Sequence, residues 1–249
     1  MDIVQERLER EYDVDIIVTA PSVSYRVNMK SGEQLTISSP SLLPDGSLYD
    51  SLEEPWIKME VVCSKDTVGG VMKLVQDRRG IHKNLTYMDE NRVLLLFEMP
   101  LATVIIDFYD GLKNVSSGYA SMNYEFLEYR EENLVRLDIL IHGEKIDSLA
   151  VMCHRTEAET LGRRLAKKLK EVIPRAQFAI PIQAAIGGKV VARETVSAFR
   201  KDVTAGLYGG DVTRKNKQLQ KQKKGKKRMK DMGSVSLPQE AFHAILKKD

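Results

Sequence analysis

The spacing of apolar residues divides the chain into three stretches. In the first, Ile3, Val4 and Leu8 sit among good helix formers and predict a helix from Asp2 to Tyr12. Asp15–Thr19 reads as a strand. Val23, Tyr25 and Val27 alternate with period two, Ser31-Gly32 marks a turn, and Leu35–Ile37 returns as the partner strand. Pro40, Pro44, Asp45-Gly46 and Pro55 then predict a linker over residues 38–55.

The second stretch is more regular. Trp56–Cys63 alternates as a strand, and Lys65–Arg79 is a predicted helix with Val68, Val71, Met72 and Val75 on one face, closed by Gly80. Ile81–Met88 and Arg92–Glu98 are strands around the hairpin signal Asp89-Glu90-Asn91. A second helix starts at Pro100 and carries Val104, Ile105, Phe108 and Leu112, and Tyr119–Tyr129 alternates again. The order β-α-β-β-α-β is the ferredoxin-like split βαβ arrangement, so the fold class is α+β.

The third stretch opens with an alternating strand, Leu134–Ile141, turned by His142-Gly143. Leu149–Cys153 is a short apolar strand. Arg155–Ile173 is a long helix in which Leu161, Leu165 and Leu169 repeat every four, stopped by Pro174. Phe178–Ile186 reads as a strand and Gly187-Gly188 as a turn, while Val190–Phe199 fits strand or helix equally. A short apolar helix, Pro238–Leu246, ends the chain.

Charge changes the picture where composition does not. The 249 residues are 43% hydrophobic and 29% charged, which is ordinary globular composition. The charge is uneven. Residues 185–249 hold 16 Lys and Arg against 6 Asp and Glu, a net +10, and residues 1–184 hold 22 against 29, a net −7. An acidic body with a basic end points to a polyanionic partner, nucleic acid before membrane. Val93–Phe97, a purely apolar run that none in the chain exceeds, is far short of the ~20 residues of a membrane span. The charged N-terminus has no secretory apolar region. Cys63 and Cys153 are too few and too distant for a disulfide framework or a zinc site.

Enzyme signatures are absent. No phosphate-binding Gly-x-x-x-x-Gly-Lys-Ser/Thr occurs, nor Gly-x-Gly-x-x-Gly, His-Glu-x-x-His or Gly-x-Ser-x-Gly. Cys153 and His154 are neighbours on a strand, so they point to opposite faces and form no dyad. The strongest signal is basic: Arg214, Lys215, Lys217, Lys221, Lys223, Lys224, Lys226, Lys227, Arg228 and Lys230 fall within 17 residues that contain no acid. Its few apolar residues line no single stripe, and like charges repel at i, i+4, so the free segment is expected to be a frayed helix or disordered. A nucleic-acid backbone would neutralise it and release counterions. A solvated tail or a localisation signal are the plainer readings of such a run. Tyr208-Gly209-Gly210 precedes it, two glycines permitting close backbone approach beside an aromatic that can stack on a base, or forming a plain turn.

Longer motifs carry a resemblance. Gly187-Gly188-Lys189 with Arg193-Glu194-Thr195, Tyr208–Lys215, Gly225–Lys230 and Gly233–Phe242 resemble the C-terminal region of the LepA, or elongation factor 4, family of translational GTPases. Upstream, Asp2–Glu11, Thr19–Val23, Glu54-Pro55-Trp56, Arg78-Arg79-Gly80, Tyr87–Glu90 and Arg175 are similar to that family too. The resemblance implies a partial third domain and linker over residues 1–54, a module like domain V of elongation factor G over 55–130, and a LepA-specific C-terminal domain with its basic helix over 131–249. It also implies that the family's G domain and barrel, with their GTP and Mg, lie outside this chain. Catalytic, cofactor-binding and metal-binding residues are then none. The implied partners are the ribosome's rRNA, A-site or P-site tRNA and the GTPase-associated centre. The implied setting is a cytoplasmic monomer, with peripheral association at the inner face of the cell membrane as the second location that the resemblance allows. Back-translocation, rescue of stalled ribosomes and fidelity are the roles implied. The alternatives are a stand-alone RNA-binding or small-subunit assembly module without nucleotide chemistry, and a small enzyme with an unrecognised site.

Overall fold

The computed structural model describes residues 7, 8, 10–12, 22–207 and 212–232, with 235, 237, 238, 241 and 242. Arg7, Leu8 and Arg10–Tyr12 are helical, as the first pattern predicts. The strand expected at Asp15–Thr19 lies outside the described residues. Two compact units are present, one of residues 20–134 and one built on residues 135–247.

In the first unit, β1 (Tyr25–Met29) and β2 (Gln34–Ile37) form the expected hairpin. The segment 38–55 is a linker only in its first part. Pro40–Leu42 makes one 3₁₀ turn, and then β3 runs without a break from Tyr49 to Ser64. Its prolines misled: Pro55 sits where β3 exchanges neighbours on one side, Glu53 being the last residue opposite β1 and Trp56 the first opposite β5. A residue lacking an N–H is tolerated at such a gap in the ladder.

Next come α1 (Val68–Gln76), β4 (Ile81–Tyr87) and β5 (Arg92–Pro100). They are followed by α2 (Leu101–Ile105), α3 (Phe108–Val115) and β6 (Ser121–Glu131). The sheet order is β2-β1-β3-β5-β4 with β6 on the other side of β3. The pairings are antiparallel throughout. Ile57, Met59, Val61 and Cys63 of β3 and Val93, Leu95, Phe97 and Met99 of β5 share one face. That face is buried against Val71 and Val75 of α1, Val104 of α2, and Phe108 and Leu112 of α3.

The helix expected from Pro100 is two helices. Ile106 is extended and Asp107 has φ 55°, a left-handed conformation that a short polar side chain enters more readily than most. Arg78 stabilises the break by donating to the exposed carbonyls of Thr103 (2.9 Å), Ile106 (2.8 Å) and Asp107 (3.4 Å).

The second unit contains β7 (Leu134–Ile141), β8 (Glu144–Lys145), β9 (Val151–His154), β10 (Ile180–Ile186) and β11 (Lys189–Val196). Its order is β11-β10-β7-β8, with β9 also on β7. The ambiguous segment after Val190 is therefore a strand, paired to β10 through a turn whose Gly187 and Gly188 both have positive φ. Helix α4 (Ala158–Val172) lays Ala158, Leu165, Ala166 and Leu169 on this sheet, with Leu161 half-buried at the margin. Gly162 sets the approach: a Cβ there would stand 2.8 Å from the Ala184 Cβ. Of the last apolar segment, Ala241 and Phe242 are helical and pack on the same core, with Val235 and Leu237. The rest of that segment lies outside the described residues. The final described helix is α5 (Val212–Met232).

Candidate nucleic-acid interface

Helix α5 sorts its cations by face. Lys215, Gln218, Leu219, Gln222, Gly225 and Lys226 are half-buried, and their 3–4 spacing makes one stripe of the helix. The stripe is polar, so no apolar face holds α5. Instead Gln222 donates to the Lys201 carbonyl at 2.8 Å, and the Lys226 ammonium donates to the Phe199 carbonyl. The segment expected to be frayed is thus a continuous helix of 21 residues leaning on residues 199–201.

On a flank away from that stripe lie Arg214, Lys217, Lys221, Lys224 and Arg228, all exposed. Their spacing of 3, 4, 3 and 4 keeps them within an arc of about 80° at 3.6 residues per turn, over a length of about 21 Å. Lys223 and Lys227 are exposed on the opposite flank. No Asp or Glu occurs from Val212 to Lys230. The structure therefore brings five of the predicted residues into one row, turns Lys215 and Lys226 inward, and sets Lys223 and Lys227 apart. Tyr208, Gly209, Gly210 and the Lys230 side chain lie outside the described residues.

Three features escaped the sequence pattern. Helix α4 has its own exposed cations, Arg163, Arg164, Lys167 and Lys170, hidden in the sequence behind its leucine repeat. Arg163 is engaged by Glu159 and Lys170 by Glu194, which the lysine holds below the ordinary carboxylate range. Phe199 presents a half-exposed ring beside the basic helix. In the other unit, Glu54 is only 1% exposed and is met by Arg79 at 2.5 Å. On the same sheet Arg130 stacks over the Trp56 ring at 4.5 Å while binding Glu98 and Glu128. These acids are all answered by cations.

Cys63 and Cys153 are buried and form no disulfide; burial pushes the Cys63 thiol up, against a weaker opposing hydrogen bond from Thr67. His154 pairs through Nδ1 with the Thr156 hydroxyl, so Cys153 and His154 do lead different lives. Among the described residues, no group of His, Cys, Asp and Glu is arranged to hold a metal, and no helix is long and apolar enough to cross a membrane.

Residues 51–140 match the family model for the elongation factor G C-terminus, and residues 141–247 that for the GTP-binding protein LepA C-terminus. Elongation factor 4 of Acetivibrio thermocellus is 55% identical over 249 residues, and that of Mycoplasma mobile 54% identical over 249. By sequence, the chain belongs with the C-terminal portion of the LepA, or elongation factor 4, family. The Gloeobacter violaceus elongation factor 4 agrees, at 56% identity over 247 residues. The chain spans 41% of the length of the Acetivibrio relative and 42% of the Mycoplasma one. The boundary between the two matched regions, 140/141, falls at the end of β7, close to the division between the compact units at 134/135.

Proposed function

We propose that the chain is the RNA-binding, ribosome-facing part of an elongation factor 4, and that the exposed row of α5 lies along a phosphate backbone. The observation that carries this reading is the row itself: Arg214, Lys217, Lys221, Lys224 and Arg228 on one flank, with no acid between them. Successive members are three or four residues apart, so their Cβ atoms stand about 5–6 Å apart. Such a ladder of cations suits a run of phosphates better than it suits a folded protein surface. Each neutralised phosphate releases counterions, which makes the affinity steeply salt-dependent.

Within this reading, residues 55–130 act as the domain V-like module near the GTPase-associated centre. Residues 131–249 reach tRNA or rRNA, and residues 1–54 are the end of a third domain. The match of 51–140 to the elongation factor G C-terminus supports that division. GTP and Mg belong to the G domain of the longer relatives, and this chain's own contribution is binding and orientation.

Binding to purified ribosomes at three salt concentrations tests the proposal. If all five cations meet phosphates, replacing them together with Gln reduces the slope of log K against log[salt] by about 3.5 to 4.5, at ~0.7–0.9 per contact. Replacing Lys215 of the half-buried stripe changes the slope by less than one. Gln keeps helix propensity near that of Lys and Arg, so the comparison isolates charge. An unchanged slope in the five-residue variant refutes the proposal.

A further inference from the structure

We infer that the groove between α5 and the pair Ala179 and Ala198, one residue before Phe199, is a slot for one unpaired nucleotide of RNA, with the base on its apolar floor and a phosphate on its lysine wall. The inference rests on the proposal that α5 binds RNA, and goes beyond it by separating a base-recognising site from the phosphate row. The groove has a volume of about 660 Å³. That is the size class of sites that enclose small organic ligands.

Ala179 and Ala198 form the floor, and Gln220, Lys223, Lys226 and Lys227 of α5 form the wall. Lys224, which belongs to the row, also reaches the groove, so a strand following the row can turn a nucleotide into it. No Asp or Glu is among the lining residues. The charge complementarity is therefore to an anion with an apolar face, which describes a nucleotide and not an acidic peptide.

Phe199 strengthens the assignment. Its N–H donates to the Ala176 carbonyl at 2.9 Å, and its own carbonyl accepts from Lys226. A backbone held on both sides presents the ring from a fixed position, yet the residue is 53% exposed. Among the described residues of 135–247 it is the one exposed aromatic. An exposed aromatic beside lysines is the pairing by which proteins hold single strands: cations track the backbone while rings stack on bases. Gln220 adds an amide that can both donate to and accept from a base edge. A paired duplex keeps its bases stacked and offers none to such a slot.

The test compares a single-stranded RNA oligomer with a fully paired RNA duplex by fluorescence anisotropy. Three variants of the full chain are used: Phe199→Ala, Ala198→Glu and the five-residue Gln variant of the row. Phe199→Ala weakens single-strand binding by about fivefold to a hundredfold, the range for losing a stacked aromatic. It leaves the salt slope and duplex binding nearly unchanged. Ala198→Glu, which places a carboxylate in the groove, weakens single-strand binding more than duplex binding. The row variant lowers both and flattens the salt dependence. Wild-type single-strand affinity in Phe199→Ala overturns the inference, even if Ala198→Glu fails to fold and even while the row variant upholds RNA binding by α5. Equal losses for single strand and duplex in Phe199→Ala also overturn it. A row variant that binds both RNAs like wild type defeats the underlying proposal instead.

Discussion

Removing Arg79 should destabilise the unit of residues 20–134 more than any other single surface-accessible change in it. Glu54 is 1% exposed and the Arg79 side chain 19%, with 2.5 Å between Nη2 and Oε1. Arg79→Met keeps the length of the side chain but takes the cationic partner from a buried carboxylate. Breaking a buried pair in this way costs about 3–5 kcal/mol. The pair is not an optimal one, because Arg79 Nε and Nη1 are buried without hydrogen-bond partners. Its net worth against an apolar replacement is therefore small, and the double variant Glu54→Leu/Arg79→Met should return to within about 1–2 kcal/mol of wild type. The assay is built into the chain. Trp56 is its one tryptophan, and is buried in this same unit two residues from Glu54. Its fluorescence in urea reports residues 20–134 without interference from the other unit. A loss of about 4 kcal/mol moves the midpoint down by about 2 M for an m-value of about 2 kcal/mol/M. Arg79 also has φ 62°, so Arg79→Gly relieves backbone strain while removing the same charge. It should fall about 1 kcal/mol less than Arg79→Met. A midpoint shift under 0.5 M for Arg79→Met, taking m as about 2 kcal/mol/M, or a double variant no better than the single, refutes the reasoning.

Two further outcomes follow from the packing and charge. Burial works to raise the Glu98 carboxyl, but Arg130 at 2.7 Å and Lys83 at 3.1 Å overcome it and hold the group below its ordinary value of 4.5. A depressed folded value means the stabilisation is complete above pH 4.5 and is lost as pH falls through the folded value, so Glu98→Gln should lower the Trp56 unfolding plateau above pH 4.5, converge with wild type in acid, and so flatten the acid limb. Gly162→Ala brings a Cβ to 2.8 Å from the Ala184 Cβ, with the Leu137 and Val191 side chains at 3.6 Å; overpacking of ~1–3 kcal/mol outweighs a helix-propensity gain of ~1 kcal/mol, so hydrogen exchange of α4 amides should accelerate, and slower exchange would show that the contact is slack.

What could be read in the sequence was whatever a single period carries. The alternation in Trp56–Cys63 and Leu134–Ile141 placed two central strands, because one face of each meets a helix. The break at Asp107 was invisible for the same reason. Val104, Phe108 and Leu112 keep the i, i+4 rhythm straight across it, since both helices serve one core, and Arg78, which stabilises the break, lies 25 residues upstream of the first carbonyl it holds. Glu54 read as part of a polar linker because its burial depends on Arg79, again 25 residues away. At the basic segment, residue types were legible and their grouping was not. Which cations form a row depends on a continuous helix, and which turn inward depends on the carbonyls of Phe199 and Lys201.

That division of labour on α5 explains how so charged a segment stays folded and, in the proposed function, still serves RNA. Like charges at i, i+3 and i, i+4 along Arg214, Lys217, Lys221, Lys224 and Arg228 each cost the helix a few tenths of a kcal/mol, about 0.2–0.5 per pair. No apolar stripe offsets this, and the contacts to carbonyls 199 and 201 are exposed ones. The helix is thus held near the margin by its length and by good helix formers: between Val212 and Met232 it has one glycine and no proline. A phosphate backbone on the row removes the repulsion, so binding and helix stability rise together, each contributing to the other. Salt acts on the two in opposite directions. It screens the repulsion in the free helix and stabilises it, while it competes for the phosphates and weakens the complex. A helix held instead by an apolar stripe would have shown only the second effect. The polar stripe therefore makes the fold of α5 responsive to the same electrostatics that would hold a phosphate backbone on the proposed row, and the groove beside it, walled by that helix, exists only while the helix does.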